Sequence, residues 1–546
     1  MTDPRLAPFT IFARLTPKMV SAENPGDTME DYDVVVLGGA FSGSAMGLLL
    51  MRQRPGTKVL ILEKSEVFDR KVGESTSEVA GCFLTRVLGL SNYLAREHFQ
   101  KNGLRLWFNR EGNDCPNACS ELGPFTQARM PTYQLDRSRL DAHMLDMAAS
   151  EGCTVIRPAS VKSFELNGAG KNLVTYKANG ETRTVRAQWV ADCSGKAALI
   201  GRKRGTLMPL DDHPVHSMWV RFSGVNDLDS HKARMSCSAL DEHATPVSRT
   251  SATNHLMGRG WWSWIIPLSN GDFSAGVTWD ERLFTPPTEG PVGLRVKEHL
   301  ITHPIGKLMF GDATPVENDA RIYKNLPYYS SEVCGDGWMA MGDAAGFMDP
   351  LYSQGLDYCA HSTYTSASII REALDGNEVC ERLERHNHEF GESYHRWFNA
   401  LYRNKYQYLG DADMMRAAFL LDIATYFVGP VNLVYTWTDQ EFSKMPYHGV
   451  PGAIFAKFMS LYNRRLEAIA RKRLKTGRYG INNLGKRRLI KIPFVAGPRT
   501  TGHLFRGIFA WLKLEAETAF VRPEESVPEP RPKATKPRPL AEATST

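Results

Sequence analysis

The sequence predicts an α/β protein: a doubly wound domain with an inserted antiparallel sheet, followed by a mainly helical C-terminal domain. Three observations predict it. Strand-like runs at residues 34–37, 58–62 and 188–192 alternate with helical stretches between about 32 and 202, the rhythm of βαβ units around a parallel sheet. Apolar and polar residues then alternate at 215–223 and 261–277, which suits antiparallel strands with one buried face. After Asp349 the pattern is almost wholly helical to about residue 520.

At 546 residues and 61.1 kDa the chain exceeds what one hydrophobic core normally holds. The texture divides it into an N-terminal extension (1–30), the α/β domain (31–375, with the inserted sheet at about 205–325), a helical domain (376–521) and a Pro-rich tail (522–546) predicted to be disordered. With 42% hydrophobic and 23% charged residues, neither a wholly disordered chain nor a collagen fits. A net charge of +6 over this length argues against a nucleic-acid partner.

Nine cysteines, an odd number, and the lack of a charged-then-apolar leader predict reduced thiols and a cytoplasmic protein. Cys115 and Cys119 have no second ligand pair nearby, so no metal is expected. The apolar stretch 417–437 contains Asp422 and Gly429-Pro430, both costly in lipid, and is read as a buried helix broken at the proline.

The run at 34–37 leads into Gly38-Gly39-Ala40-Phe41-Ser42-Gly43 and then into a helix. A strand, a Gly-rich turn and a helix N-terminus together offer backbone amides and a positive dipole end to a pyrophosphate. Glu63 stands 20 residues beyond Gly43 at the end of the next strand, placed to accept from a ribose hydroxyl, with Lys64 beside it. Asp136-Arg137 opens a later helix, Asp192 lies in Ala191-Asp192-Cys193-Ser194-Gly195, and Gly342-Asp343 follows a short strand and precedes a helix. An Asp at that last position can bind the ribityl hydroxyls of a flavin. In this order, these segments resemble the flavoprotein monooxygenases related to para-hydroxybenzoate hydroxylase, over about residues 32–371. The resemblance implies an FAD-binding, Rossmann-like domain.

Three further segments narrow the chemistry. Trp262-Ser263-Trp264-Ile265-Ile266-Pro267 fills the pattern W-x-W-x-I-P, Lys101 lies in a K-x-G-x-x-F/W-like segment, and Asp349-Pro350-Leu351-Tyr352-Ser353-Gln354-Gly355-Leu356 matches D-P-x-x-S-x-G. Together they resemble the flavin-dependent halogenases. The resemblance implies FADH2, O2 and halide as reactants, with Lys101 and Ser353 as catalytic residues. It makes Trp262, Trp264 and Pro267 a wall shielding the flavin from substrate, and the amides of Ser353 and Gly355 a halide pocket, with Pro350 and Leu356 beside the cofactor.

Gly73-Glu74-Ser75 is similar to the strap that crosses the flavin in these enzymes, with a backbone able to move over the ring; Ser75 and Glu78 also fit a capping box. Tryptophan halogenases carry Glu where this chain has Tyr352, which argues against free tryptophan as substrate and leaves an electron-rich aromatic, free or carried on a carrier protein. No second Gly-rich loop for a nicotinamide follows, which predicts a separate flavin reductase as partner. Two rival readings stay open at this level: hydroxylation of an aromatic or peptidyl group by the same flavin, and a non-catalytic flavoprotein that docks a partner.

Residues 464–491 carry eleven cations against the single acid Glu467. That concentration predicts an acidic partner surface, either a carrier protein or, with the amphipathic run 504–520, peripheral contact with anionic lipid through Arg464 to Lys491; a solvated helix pair is the alternative. The aromatic-rich stretch 402–437 is expected to roof the substrate pocket.

Overall fold

A computed structural model describes residues 29–242, 247–436, 442–493 and 495–519. Residues 1–28 of the predicted extension, the tail 522–546 and Trp437 lie outside the described residues.

A parallel sheet forms the first layer. Strand Asp31–Leu37 lies between Val59–Leu62 and Glu181–Asp192, with Thr154–Ile156 beyond the former and Trp338–Ala340 beyond the latter, all parallel. The register pairs Val34 with Val59 and Leu37 with Asp192. Residues Val34, Val35, Val36 and Leu37 are all buried, the continuous apolar run expected of a strand covered on both faces.

Helix Phe41–Gln53 follows the Gly-rich turn and packs back onto this sheet. Gly43 is the reason it can. A Cβ there would lie 1.8 Å from the carbonyl oxygen of Gly38, so any side chain would push the helix off the strand.

The second sheet has nine strands and is mostly antiparallel, centred on Val215–Ser223, Thr253–Gly258, Trp261–Pro267 and Phe273–Asp280. It is not a contiguous insertion of residues 205–325. Leu104–Phe108 pairs in parallel with Thr253–Gly258, Ser120–Pro124 joins next, and Arg487–Ile490 from the far end of the chain closes that edge. The helical C-terminal part therefore donates a strand to the sheet. It shares a core with it as well: Trp262 and Trp264 belong to the same buried apolar cluster as Trp397, Tyr402, Phe419 and Tyr462.

The apolar stretch is helical over Ala412–Tyr426 and Asn432–Thr436. The proline does not break it, because the turn Phe427–Val431 widens to a π-helical one around Pro430. This span is long and apolar enough to cross a membrane by composition, yet 72% of its most apolar window is buried against the rest of the protein.

Five of the eleven cations in the basic segment are paired, four of them with acids distant in the chain. Arg465 pairs with Glu515, Arg473 with Asp411, Asp413 and Glu517, Arg471 with Glu467, Arg487 with Glu121 and Arg488 with Asp413. These partners are not visible in a local count, because six of the seven pairs reach more than 40 residues along the chain. The free cationic surface is much smaller than the local sum suggests.

A Gly43→Ala variant is expected to lose stability by about 1–3 kcal/mol or more through overpacking at the turn and to purify without bound flavin. Thermal unfolding together with visible absorbance of the purified protein checks both.

Candidate active site

Two cavities adjoin at the junction of the sheets and the helical part. The smaller, about 350 Å³, is lined by Gly342, Asp343, Gly346, Phe347, Met348, Asp349, Gln354 and Gly355, with Tyr358, Trp397 and Tyr402 behind. The larger, about 760 Å³ and open to solvent, is lined by Lys101, Thr76, Ser77, Glu78, Tyr352 and Gln354 together with Phe419, Tyr426, Phe427, Tyr447 and Met459. Gln354 lines both. Its side-chain oxygen accepts from Trp397 Nε1 at 2.6 Å and from Tyr402 Oη at 2.9 Å, which fixes it between the cavities.

The Gly-rich loop and the Gly342-Asp343 turn meet. A Cβ on Gly342 would stand 2.7 Å from Ser42 Oγ, so the two motifs 300 residues apart close one cradle. Ala40 caps helix Phe41–Gln53 in extended geometry, leaving the first amides of that helix without intrahelical acceptors.

Asp343 follows the strand Trp338–Ala340 but opens a short 3-10 turn, Gly342–Ala344; the next α-helix starts only at Gly355. Burial raises its carboxyl above the ordinary range against the opposing pull of Arg137 and Lys196. Among the described residues its oxygen receives only a 4.0 Å contact from the Cys359 thiol, which leaves lone pairs for hydroxyl donors. A polar, amide-rich cradle with an under-satisfied carboxylate fits the pyrophosphate and ribityl chain of FAD.

Other predicted cofactor residues do different work. Asp192 is fully buried, its two oxygens accepting from Ser194 N at 3.0 Å and Ile200 N at 2.7 Å, so it shapes a turn and is not directed at a ligand. Glu63 accepts from Gly39 N at 2.8 Å and Ser65 N at 2.9 Å and thereby holds the Gly-rich loop against the strand end; Lys64 is exposed. Arg137 sits over the Phe41 ring at 5.8 Å, grips Asp141 through two hydrogen bonds and reaches the carbonyls of Val72 and Gly73.

The strap is pinned. Glu74 forms a buried pair with Arg221 at 2.5 Å, Ser75 Oγ meets Thr253 Oγ1 at 2.9 Å, and Thr76 N donates to Tyr133 O at 2.9 Å. Glu74 and Ser75 therefore position the strap and do not leave it free to move. The capping box is absent too: the short helix Glu78–Cys82 is entered at Ser77, whose hydroxyl donates to Asp357. Arg221, a lone charge in an apolar strand, was the signal that a buried partner had to exist.

Lys101 is 3% exposed, and its amine donates to the carbonyl of Thr76 at 2.7 Å while lining the larger cavity. Burial lowers its pKa to about 8, opposed by the charges of Glu78 and Asp357.

The tryptophans stand one residue further back than predicted. Trp262, Trp264 and Pro267 do not line either of these two cavities. Trp262 Nε1 donates to Tyr406 Oη at 3.1 Å, and that hydroxyl donates to Asp349 at 2.7 Å, on the cofactor side. Its ring also meets His255 edge-on at 5.3 Å, and His255 in turn feels the Lys101 charge. The wall between the cavities is made by the turn Tyr352–Gln354 itself.

Tyr352 and Ser353 take left-handed backbone angles there, with φ of 70° and 62°, a strain typical of functional turns. Tyr352 Oη donates to Asp422 at 3.1 Å. Ser353 N donates to Pro350 O at 3.2 Å, so of the two predicted halide amides only that of Gly355, first residue of helix Gly355–Leu374, has no intrahelical acceptor. Pro350 precedes this turn and Leu356 is buried behind it.

Residues 31–393 match the family described as FAD binding domain. The chain belongs to this family. A 1H-pyrrole-2-carbonyl-[peptidyl-carrier protein] chlorinase of Pseudomonas fluorescens is 26% identical over 64% of this chain and 77% of its own length. Tetracycline 7-halogenase of Kitasatospora aureofaciens is 26% identical over 60% of each chain. Among solved structures, the halogenase PltM superposes with a TM-score of 0.66 at 19% identity, covering 89% of this chain and 96% of the other. The resemblance to flavin-dependent halogenases read from the motifs therefore extends beyond them, and the cofactor of this FAD-binding chain is FAD.

Replacing Asp343 and Glu74 should separate binding from scaffold. Asp343→Ala is expected to lose FAD while keeping the thermal stability of the flavin-free protein, since it removes a desolvated carboxylate. Glu74→Ala, which strands Arg221 in the core, is expected to lose about 3–5 kcal/mol by denaturant unfolding.

Proposed function

We propose that this protein is a flavin-dependent halogenase, which consumes FADH2, O2 and chloride or bromide to halogenate an electron-rich aromatic in the larger cavity. The observation that carries the reading is the position of Lys101. A buried amine lines a substrate-sized, aromatic-walled cavity, and the flavin cradle lies on the other side of Gln354.

When bound, the reduced cofactor would activate O2, the oxidant that converts halide to an electrophilic halogen. The chain's residues do the rest. The turn Tyr352–Gln354 keeps the aromatic out of the cofactor pocket, which disfavours direct oxygen transfer. Trp262, through Tyr406 and Asp349, holds the cofactor-side wall in place. The Gly355 amide is offered as an anion donor, and the Lys101 ammonium as the hydrogen-bond donor that receives hypohalous acid and presents the halogen to the ring. Thr76 O orients that ammonium by taking one of its three protons.

A carrier-bound substrate is supported by the carrier-protein chlorinase and brominase among the relatives and by a cavity that opens to solvent. Reduced flavin is proposed to come from a separate reductase, because the described residues hold one Gly-rich strand–turn–helix unit, within residues 31–53. A cytoplasmic location goes with this chemistry, which needs a supply of reduced flavin.

Lys101→Ala is expected to bind FAD normally and to lose halogenation by about 100-fold or more, within the range for removing a positioned acid. If the ammonium is the working form, the wild-type rate falls as pH rises through about 8, where Lys101 gives up its proton. Lys101→Arg, which stays charged, should lack that limb. A Lys101→Ala enzyme with full rate would refute the role.

A further inference from the structure

The larger cavity holds two carboxylates, and they are not alike. Asp422 is saturated from within the protein: Oδ1 accepts from Tyr462 Oη at 2.5 Å, and Oδ2 accepts from Lys405 Nζ at 2.5 Å and Tyr352 Oη at 3.1 Å. Asp357, just behind the wall, is equally occupied by Ser77, Ala80 N and Tyr426 Oη. Glu78 lines the cavity, and apart from its own backbone N–H its carboxylate has no hydrogen-bond or ion-pair partner among the described residues.

It is also placed with care. Glu78 follows Thr76 and Ser77, which line the same cavity, and Thr76 O is the acceptor that orients Lys101. Thr76 O thus ties the Lys101 amine to the segment that carries Glu78, and Phe419, Phe427 and Met459 supply the apolar wall of the same cavity. Burial raises the Glu78 carboxyl, and the charge of Lys101 is the main force that opposes this. An acceptor so desolvated, with only its own backbone N–H as a protein donor among the described residues, gains from a donor that arrives with the ligand.

We propose that Glu78 is the substrate anchor, accepting a hydrogen bond from an N–H or O–H borne by the aromatic ring. The inference rests on the halogenase reading for the identity of the cavity as the substrate site. Its consequence is selective: a ring donor is held by the carboxylate while the π face lies on the apolar wall, which fixes which ring carbon faces Lys101. Drawing the donor's proton toward a carboxylate also raises electron density in the ring, the property an electrophilic halogen requires. Glu78 is thus a positioning and specificity residue that touches substrate, distinct from Lys101, which touches the halogen.

The test measures binding, so it does not depend on turnover. FAD-loaded oxidised enzyme is titrated calorimetrically with two probe pairs: phenol against anisole, and pyrrole-2-carboxamide against its N-methyl form. Wild-type protein is expected to bind at least one donor probe about 10-fold or more tightly than its methylated form, the effect of a hydrogen bond to a charged group. Glu78→Ala should remove that preference by weakening the donor probe alone, and Glu78→Gln, which keeps an acceptor oxygen but not the charge, should keep part of it. Circular dichroism and flavin content confirm that each variant is folded.

The proposal is overturned if wild type shows no preference for donor probes, if no probe binds up to its solubility, or if Glu78→Ala keeps the full preference. Failure of the halogenase reading would look different: donor-selective binding lost in Glu78→Ala, with no halogenated product from wild type supplied with reduced flavin and halide.

Discussion

The constraint on which the rest depends is the desolvation of one amine. An ammonium removed from water needs donors and acceptors supplied by the fold, and Lys101 has one close carbonyl, Thr76 O, and two distant carboxylates, Glu78 and Asp357. That is enough to keep it charged near neutral pH and too little to bury it as a structural ion pair. The contrast with Lys405 is informative: also buried, it is locked onto Asp422 and has no free role. Leaving Lys101 under-satisfied costs stability, and the cost is offset by the apolar core that the sheet and the C-terminal helices share.

That shared core explains why the site lies where it does. The second sheet is assembled from three distant parts of the chain, and the cavity forms where its edge, the strap and the helix Ala412–Tyr426 converge. The strap is held on both flanks, by Glu74 on Arg221 and by Ser75 on Thr253, so Thr76 and Glu78 are presented to the cavity from a fixed backbone. The strained turn at Tyr352 and Ser353 is in its turn stabilised by Asp422, Tyr402 and Trp397 acting on Tyr352 and Gln354. Precision on both sides is what a transfer between two compartments needs.

Much of this was legible in the sequence where chemistry is carried by contiguous residues. The Gly-rich turn, Gly342-Asp343 and the D-P-x-x-S-x-G segment each declare a local backbone geometry, and the strand between 34 and 37 declares its burial by being apolar throughout. What was not legible depends on partners distant in the chain. Asp192, Glu63 and Glu74 look like ligand carboxylates until their buried donors, Ile200 N, Gly39 N and Arg221, are placed. The basic run near 464–491 looks like a docking surface until Glu515, Glu517 and Asp413 arrive beside it. The W-x-W-x-I-P tryptophans were assigned to the wall itself, whereas Trp262 bonds Tyr406 and Trp264 bonds Ser274, and neither lines the two cavities. Gln354, which stands at the partition, lay inside a motif but at one of its variable positions. Glu78 was hidden by a capping pattern that the strap overrode.

The central claim is that an electrophilic halogen, and not oxygen, crosses the partition between cofactor and substrate. Mass spectrometry of the product formed from an electron-rich aromatic under 18O-labelled O2, with reduced flavin regenerated and bromide present or absent, tests it most directly. The account predicts a product carrying bromine and no 18O when bromide is supplied, and unchanged substrate without it. A product that carries 18O whether or not halide is present would contradict the account.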